Sequence, residues 1–194
     1  SEQWSKIDEV PFDFERRCIS VLIESGSKKI LIAKGAPEEI LAKCTQWDSA
    51  DGIEPLNQDR LSKILNLQRS LGSDGFKVLG IAWREVSECQ RHAVIDDESE
   101  LVFSGFAAFL DPPKDSAAPA ITQLTQSGVS VRVLTGDSEE VTRYVCSVLG
   151  LPIKGVLLGK DISKVDDASL SALIHETNIF CRINPSEKER IIRA

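Results

Sequence analysis

Two short segments carry residue types suited to holding a phosphoryl group. In 129–137 (VSVRVLTGD) an apolar run delivers Thr135, Gly136 and Asp137 onto the expected start of a helix. In 181–192 (CRINPSEKERII) a strand is expected to end at Arg182, with Lys188 in the first turns of the helix that follows. A hydroxyl, a glycine that exposes backbone and an ammonium, each at a strand–helix junction, suit an oxyanion. Singly, each has a plainer reading. Thr-Gly-Asp also serves as an ordinary turn, with Asp137 and Glu140 at capping-box spacing, and a lysine early in a helix is usually a solvated charge. What is missing matters equally: no strand ends in an aspartate with the surroundings of a phosphoryl acceptor. Asp111 ends the apolar run of AAFLDPPKD (107–115), but Pro112 and Pro113 lack the N–H groups that incoming phosphoryl oxygens need. Asp111-Pro112-Pro113 therefore reads as a stiff hinge between two domains, with Asp115 capping the next helix.

The first half offers two further candidates. Phe12, set among charged neighbours in PFDFERRCISV (11–21), could stack on a base if exposed, or be an ordinary core residue. Lys34-Gly35, at a strand-to-helix turn in AKGAPEE (33–39), fits a phosphate or purine contact and also common turn chemistry.

The elements that must position these residues fall into two rhythms. Strands are expected at 17–24 and 28–34, joined by a hairpin turn at Glu24–Ser27, with a short helix at 36–44. A looser stretch containing Asp51 and Gly52 precedes an amphipathic helix at 57–71, closed by Gly72. Strands at 76–86 and 101–110, joined by an acidic loop, complete an α+β pattern. From Asp111 onward, helices at 115–127, 138–149 and 166–176 alternate with strands at 129–134, 155–158 and 179–182 before a last helix from Pro185. That alternation predicts βαβ units and a parallel sheet. Ile191 and Ile192 close to the end of the sequence suggest a piece of a longer chain.

Composition sets the class. With 194 residues, 42% hydrophobic and 27% charged, the chain suits a soluble α/β globule of one or two domains. A net charge of -7 argues against a nucleic-acid surface. Five scattered cysteines without a C-x-x-C pair read as buried or half-buried reduced thiols rather than a zinc site. No apolar run approaches the roughly 18 residues of a membrane span, and the N-terminus has no signal-peptide pattern.

Taken in order, FDFERRCISV, KGAPEE, DGFKVLGIA, FLDPPK, VLTGDSEE and RINPSEKERI resemble the cytoplasmic catalytic region of P-type cation-transporting ATPases over essentially the whole chain. PFDFERR and GFAAFLDPPKD look most like the bacterial magnesium-transporting subgroup. The resemblance implies an α+β nucleotide-binding (N) domain with an antiparallel sheet over residues 1–108. An incomplete α/β phosphorylation (P) domain of haloacid-dehalogenase-like, Rossmann-type fold would follow over 109–194. By motif, Phe12 would stack on adenine, Lys34 would line the adenine pocket with Gly35 beside it, and Arg17 would sit at its edge. Lys77 would reach toward the phosphates, without the fork an arginine would bring, and Arg182 would meet the nucleotide from the P-domain side. Thr135 and Gly136 would hold the γ-phosphoryl group, with Asp137 completing their motif, and Lys188 would neutralise charge on that group and on the acceptor carboxylate.

The resemblance also says what lies outside this sequence. The phosphorylated aspartate, in a DKTGT motif, is expected before Ser1, together with an acidic residue facing adenine. The magnesium-binding GDGxND motif is expected after Ala194, so no metal ligands are expected here although ATP and Mg2+ are the implied cofactors. The chain alone is expected not to hydrolyse ATP and to bind nucleotide near the millimolar range, or about 4 kcal/mol. The incomplete P part is expected to expose an edge or apolar patch and to pack loosely, dimerise or rearrange. The implied partners are ATP and the remaining P, A and transmembrane domains, with no nucleic acid, in a multi-pass protein whose cytoplasmic side carries this region, in a bacterial inner membrane. Ion selectivity resides among membrane helices, so a calcium or proton pump of the same family stays open beside magnesium. A non-catalytic nucleotide-binding module and a stand-alone phosphatase of the same fold also stay open.

Overall fold

β2 (Cys18–Ser25) and β3 (Lys28–Gly35) form the expected antiparallel hairpin, turning at Gly26 with φ 61°. Their alternation decides which face is core: Cys18, Ser20 and Leu22 of β2 and Leu31 and Ala33 of β3 are buried on one side. The computed structural model describes residues 3–194. They divide into two units, one up to Gln68 together with Val78–Ala108, the other comprising Arg69–Lys77 and Phe109–Ala194.

The first unit is α+β with a mostly antiparallel sheet. Its remaining elements are β1 (Ser5–Asp13), α1 (Pro37–Ala42), β4 (Cys44–Ser49), β5 (Gly52–Pro55), most of α2 (Gln58–Ser73), β6 (Phe76–Glu85) and β7 (Leu101–Leu110). The seven strands lie in the order β1-β2-β3-β6-β7-β4-β5. Ile40 and Leu41 of α1 close over Cys18, Ala33, Ala82, Leu101 and Phe103, and Leu61, Ile64 and Leu65 of α2 pack against that cluster. The loose stretch expected around Asp51 and Gly52 is instead the β4–β5 hairpin, and β4 pairs with β7 in parallel. α2 runs through Gly72 to Ser73, and Gly75, at φ 86°, makes the turn out of it.

The second unit adds α3 (Ala117–Gln126), β8 (Val133–Leu134), α4 (Glu139–Val148), β9 (Val156–Leu158), α5 (Gly159–Ile162), α6 (Asp167–Glu176), β10 (Ile179–Cys181) and α7 (Pro185–Arg193). Three parallel strands lie in the order β8-β10-β9. Central β10 is wholly buried. Phe180 packs with Ile162, Leu170, Ile174, Ile183 and Ile191, while Ile179 and Cys181 pack with Cys146 and Leu151. Opposite burial of successive residues follows from the strand period of two.

Several expectations need correction here. The strand expected at 129–134 shrinks to Val133–Leu134, because among the described residues β8 has only one neighbour to pair with, and Val129 is exposed. Ser138, not Asp137, caps α4 by accepting the Val141 N–H at 3.4 Å. Asp115 does not cap α3, which follows Ser116 without a side-chain cap. Cys18, Cys146 and Cys181 are buried and Cys44 half-buried, but Cys89 is exposed in the loop after β6. Among the described residues no helix is long and apolar enough to cross a membrane.

Candidate functional site

In the second unit, the two segments with phosphoryl-holding residue types meet. The Thr135 N–H donates to the Phe180 carbonyl at 2.9 Å, the Ile183 N–H to the Thr135 carbonyl at 3.2 Å and the Arg182 N–H to the Asp137 carbonyl at 2.9 Å. These bonds stitch the turn after β8 to the turn after β10, at the carboxyl ends of parallel strands, where α/β sheets collect ligands. Arg182 takes a left-handed φ of 55° to make its turn. The Thr135 hydroxyl accepts the Asp137 N–H at 3.1 Å and lies 3.1 Å from Asp137 Oδ2, to which it donates. Lys188 stands exposed one residue beyond the Asn184–Glu187 capping box of α7 and makes no ion pair among the described residues.

Gly136 separates a fold requirement from a ligand requirement. A Cβ at Gly136 would meet nothing closer than the Ile183 carbonyl at 3.8 Å, and its backbone is not left-handed. Packing therefore does not demand glycine at this position, one residue after Thr135 and two before Ser138, the N-cap of α4.

Lys77 also belongs to this unit. Its ammonium lies 3.1 Å from Asp111 Oδ2 and 3.5 Å from Asp137 Oδ2. The hydrogen bond to Asp111 and the charge of Asp137 raise its pKa against the opposing effect of partial burial. Asp111 is thus more than a bend before Pro112 and Pro113: it holds a lysine 34 residues earlier in the sequence, a pairing that no local pattern announces. These residues do not form a Mg2+ site by themselves. Both carboxylates are already tied to one ammonium, and the described residues hold no cluster of three or more His, Cys, Asp or Glu side chains suited to a metal.

In the first unit, Phe12 sits in a bulge. β1 pairs Val10 with Ser20 and Asp13 with Cys18, leaving both Pro11 and Phe12 opposite Ile19. Proline lacks a ladder donor, so it sits there without loss. Phe12 is 52% exposed, which removes it from the core, and its ring meets Phe14 edge-on at 5.3 Å. The turn after it is tight: Asp13 Oδ1 accepts the N–H groups of Glu15 and Arg16, and Arg17 is left-handed at φ 51°. Lys34 pairs with Ile19 on one side and Ile81 on the other, so the three form a row across the sheet on the face away from the core. An ammonium between two aliphatic side chains, near an exposed aromatic ring, suits a flat heteroaromatic base. Gly35 is required by the fold, since a Cβ there would lie 2.6 Å from Cys18 Cβ and closer still to the Arg17 carbonyl. Arg17 reaches toward Glu38 of α1 at 3.9 Å.

Sequence reasoning missed the most heavily bonded side chain of this unit, Glu98. Its buried carboxylate accepts from Arg16 Nη1 at 2.6 and 2.7 Å, Ser20 Oγ at 2.9 Å, Lys43 Nζ at 3.0 Å and Cys18 Sγ at 3.3 Å. Burial alone would push this carboxyl up, but the bonds from Arg16, Lys43, Ser20 and Cys18 outweigh it and hold it at about 2. Burial, reinforced by the bond to Glu98, pushes the Cys18 thiol up to about 11. Glu98 lies in a run of acidic residues that reads as a solvated loop, so only its contacts set it apart.

Comparison with known proteins supplies a family. Residues 1–116 match the family described as P-type ATPase, cytoplasmic domain N. The chain is 42% identical over 193 residues to the magnesium-transporting ATPase, P-type 1, of Salmonella typhimurium (strain LT2), covering 99% of this chain and 21% of that protein. It is 41% identical to the protein of the same name from Escherichia coli K12, covering 99% of this chain and 22% of that protein. Calcium-transporting ATPase 1 of Lactococcus lactis is 24% identical over 195 residues, covering 100% of this chain and 22% of that protein. The chain spans about a fifth of the length of the curated relatives it matches.

Proposed function

Since this chain belongs to the P-type ATPase family, by its cytoplasmic N domain, we propose that residues 1–108 bind ATP as the N domain and that 109–194 form part of a P domain of haloacid-dehalogenase type. The observation that carries this reading is the stitched pair of turns that sets Thr135, Gly136 (where packing does not require glycine) and the exposed Lys188 at one end of the parallel sheet. The Thr135 hydroxyl and the Gly136 backbone would face phosphoryl oxygens, Lys188 would offset their charge, and Lys77 would link Asp111 and Asp137 behind them. Phosphoryl transfer rests on such positioning and electrostatics more than on covalent chemistry by the protein.

In the whole protein, the acceptor aspartate would come from a DKTGT strand lying along the open edge of β8, and Mg2+ would be held by a GDGxND motif outside these residues. Mg2+, when bound, would neutralise charge building on the phosphates. Adenine would rest on Phe12 and on the row Ile19, Lys34 and Ile81, with Gly35 and Arg17 at the pocket's edge. We assign the transported ion as magnesium, because the relatives named for magnesium are 41–42% identical and the lactococcal relative named for calcium is 24% identical. The setting would be the cytoplasmic side of a bacterial inner membrane. The chain alone would bind nucleotide without hydrolysing it, and it would self-associate through the open edge of β8. Sedimentation velocity at rising concentration tests the last point, and a monomer throughout would remove it.

The decisive experiment is an amide-shift titration of the 194-residue chain with ATP. The reading expects shifts at Phe12, Ile19, Lys34 and Ile81 that saturate near the millimolar range, about 4 kcal/mol, and that vanish in Phe12→Ala. Unchanged shifts in Phe12→Ala would sink the adenine assignment.

A further inference from the structure

Phe12 owes its exposure to a bulge, and a bulge is only as well defined as the bonds that hold it. One such bond comes from the side: Arg16 Nη2 donates to the Pro11 carbonyl at 2.6 Å, on the residue immediately before Phe12. The same guanidinium places Nη1 on both oxygens of Glu98, at 2.6 and 2.7 Å. Glu98 is itself fixed by Ser20 Oγ at 2.9 Å, from the strand facing the bulge, and by Lys43 Nζ at 3.0 Å, from the end of α1. The guanidinium is planar and rigid, so Nη1 held between the two carboxylate oxygens and Nη2 on the Pro11 carbonyl make one stiff link from Glu98 to the bulge. We propose that Glu98 is a positioning residue for nucleotide binding: through Arg16 it sets the Pro11 carbonyl, and hence the bulge that presents the Phe12 ring. The inference rests on the reading of Phe12 as the adenine platform and extends it to a residue 86 positions away that touches no nucleotide. Lys43 differs from Arg16 in one respect that matters: it shares the carboxylate but makes no bond to the bulge.

That difference supplies the test. ATP affinity of the 194-residue chain is read by amide-shift titration, with stability read by urea unfolding, for Glu98→Gln, Arg16→Lys, Lys43→Met and Phe12→Ala. Arg16→Lys keeps a cation for Glu98 but cannot also reach Pro11, so it should weaken ATP binding about fivefold while remaining folded. Glu98→Gln should weaken binding by a similar factor, and the double variant by no more than either single one, since both break the same link. Lys43→Met should lower stability and leave affinity within about twofold. Without nucleotide, the Phe12 ring resonances should shift in Arg16→Lys and stay in place in Lys43→Met. If Phe12→Ala loses binding while Arg16→Lys keeps the native affinity and the native Phe12 signals, the positioning role falls and the adenine platform stands. If Phe12→Ala binds ATP as the native chain does, platform and positioning role fall together. Because Arg16→Lys carries the decision, failure of Glu98→Gln to fold would leave the test intact.

Discussion

A single buried carboxylate has consequences that can be read in solution. Glu98 is held at about 2, against an ordinary value of 4.5 for a glutamate. Its folded pKa is depressed, so its contribution is fully present above about pH 4.5 and is lost as pH falls toward about 2. The size is on the order of 3 kcal/mol, comparable to the cost of breaking a buried ion pair from one side. Glu98→Gln should therefore destabilise the chain at pH 7 by about 2–3 kcal/mol, and its stability should fall less steeply than the native chain's between about pH 4.5 and about pH 2, the window those pKa values span. Urea unfolding at several pH values measures both slopes, and parallel slopes would contradict the assignment. Nothing in the local sequence separates Glu98 from Asp96, Asp97 and Glu100, because the difference arises from partners 55 to 82 residues away.

At the scale of elements, two glycines at motif positions serve opposite needs. Gly35 ends β3 against the Arg17 carbonyl and Cys18, where a methyl group has no room, so Gly35→Ala should separate β2 from β3 and cost about 2 kcal/mol. Gly136 has room, so Gly136→Ala should change stability by less than about 0.5 kcal/mol. Thermal or urea unfolding of the pair distinguishes them; equal losses would mean that Gly136 is also a packing glycine. The sequence showed the β2–β3 hairpin through its Glu24–Ser27 turn and showed α2 through its apolar spacing, because both signals are local. β4 and β5 were not legible, since Cys44–Pro55 has little alternation and β4, besides its hairpin with β5, finds its second partner in β7, more than 50 residues on. The apolar run before Thr135 predicts a longer strand than forms, because such a run says nothing about how many neighbours it will have. The candidate site residues were legible as types at junctions, whereas the Lys77–Asp111 pair and the Arg16–Glu98 pair needed the fold to appear.

The whole molecule concentrates protection unevenly, and the second unit makes that testable at single amides. β10 lies between two parallel neighbours with Ile179, Phe180 and Cys181 wholly buried, so it belongs to the last structure to open. Among the described residues β8 has a neighbour on one side only. The Val133 and Thr135 N–H groups donate to the Asn178 and Phe180 carbonyls, so strand alternation turns the Leu134 N–H between them toward the open edge. In dilute solution the Leu134 amide should exchange at close to the rate of an unstructured peptide, while its two neighbours exchange slowly. An edge with a free donor in an apolar strand invites another strand, which is the place proposed above for the DKTGT segment of a longer chain. Adding a synthetic peptide with the DKTGT strand sequence of a relative should therefore slow exchange at Leu134 before it affects β10. Strong protection of Leu134 in the dilute chain alone would mean that the edge is already covered and that the acceptor strand must enter elsewhere.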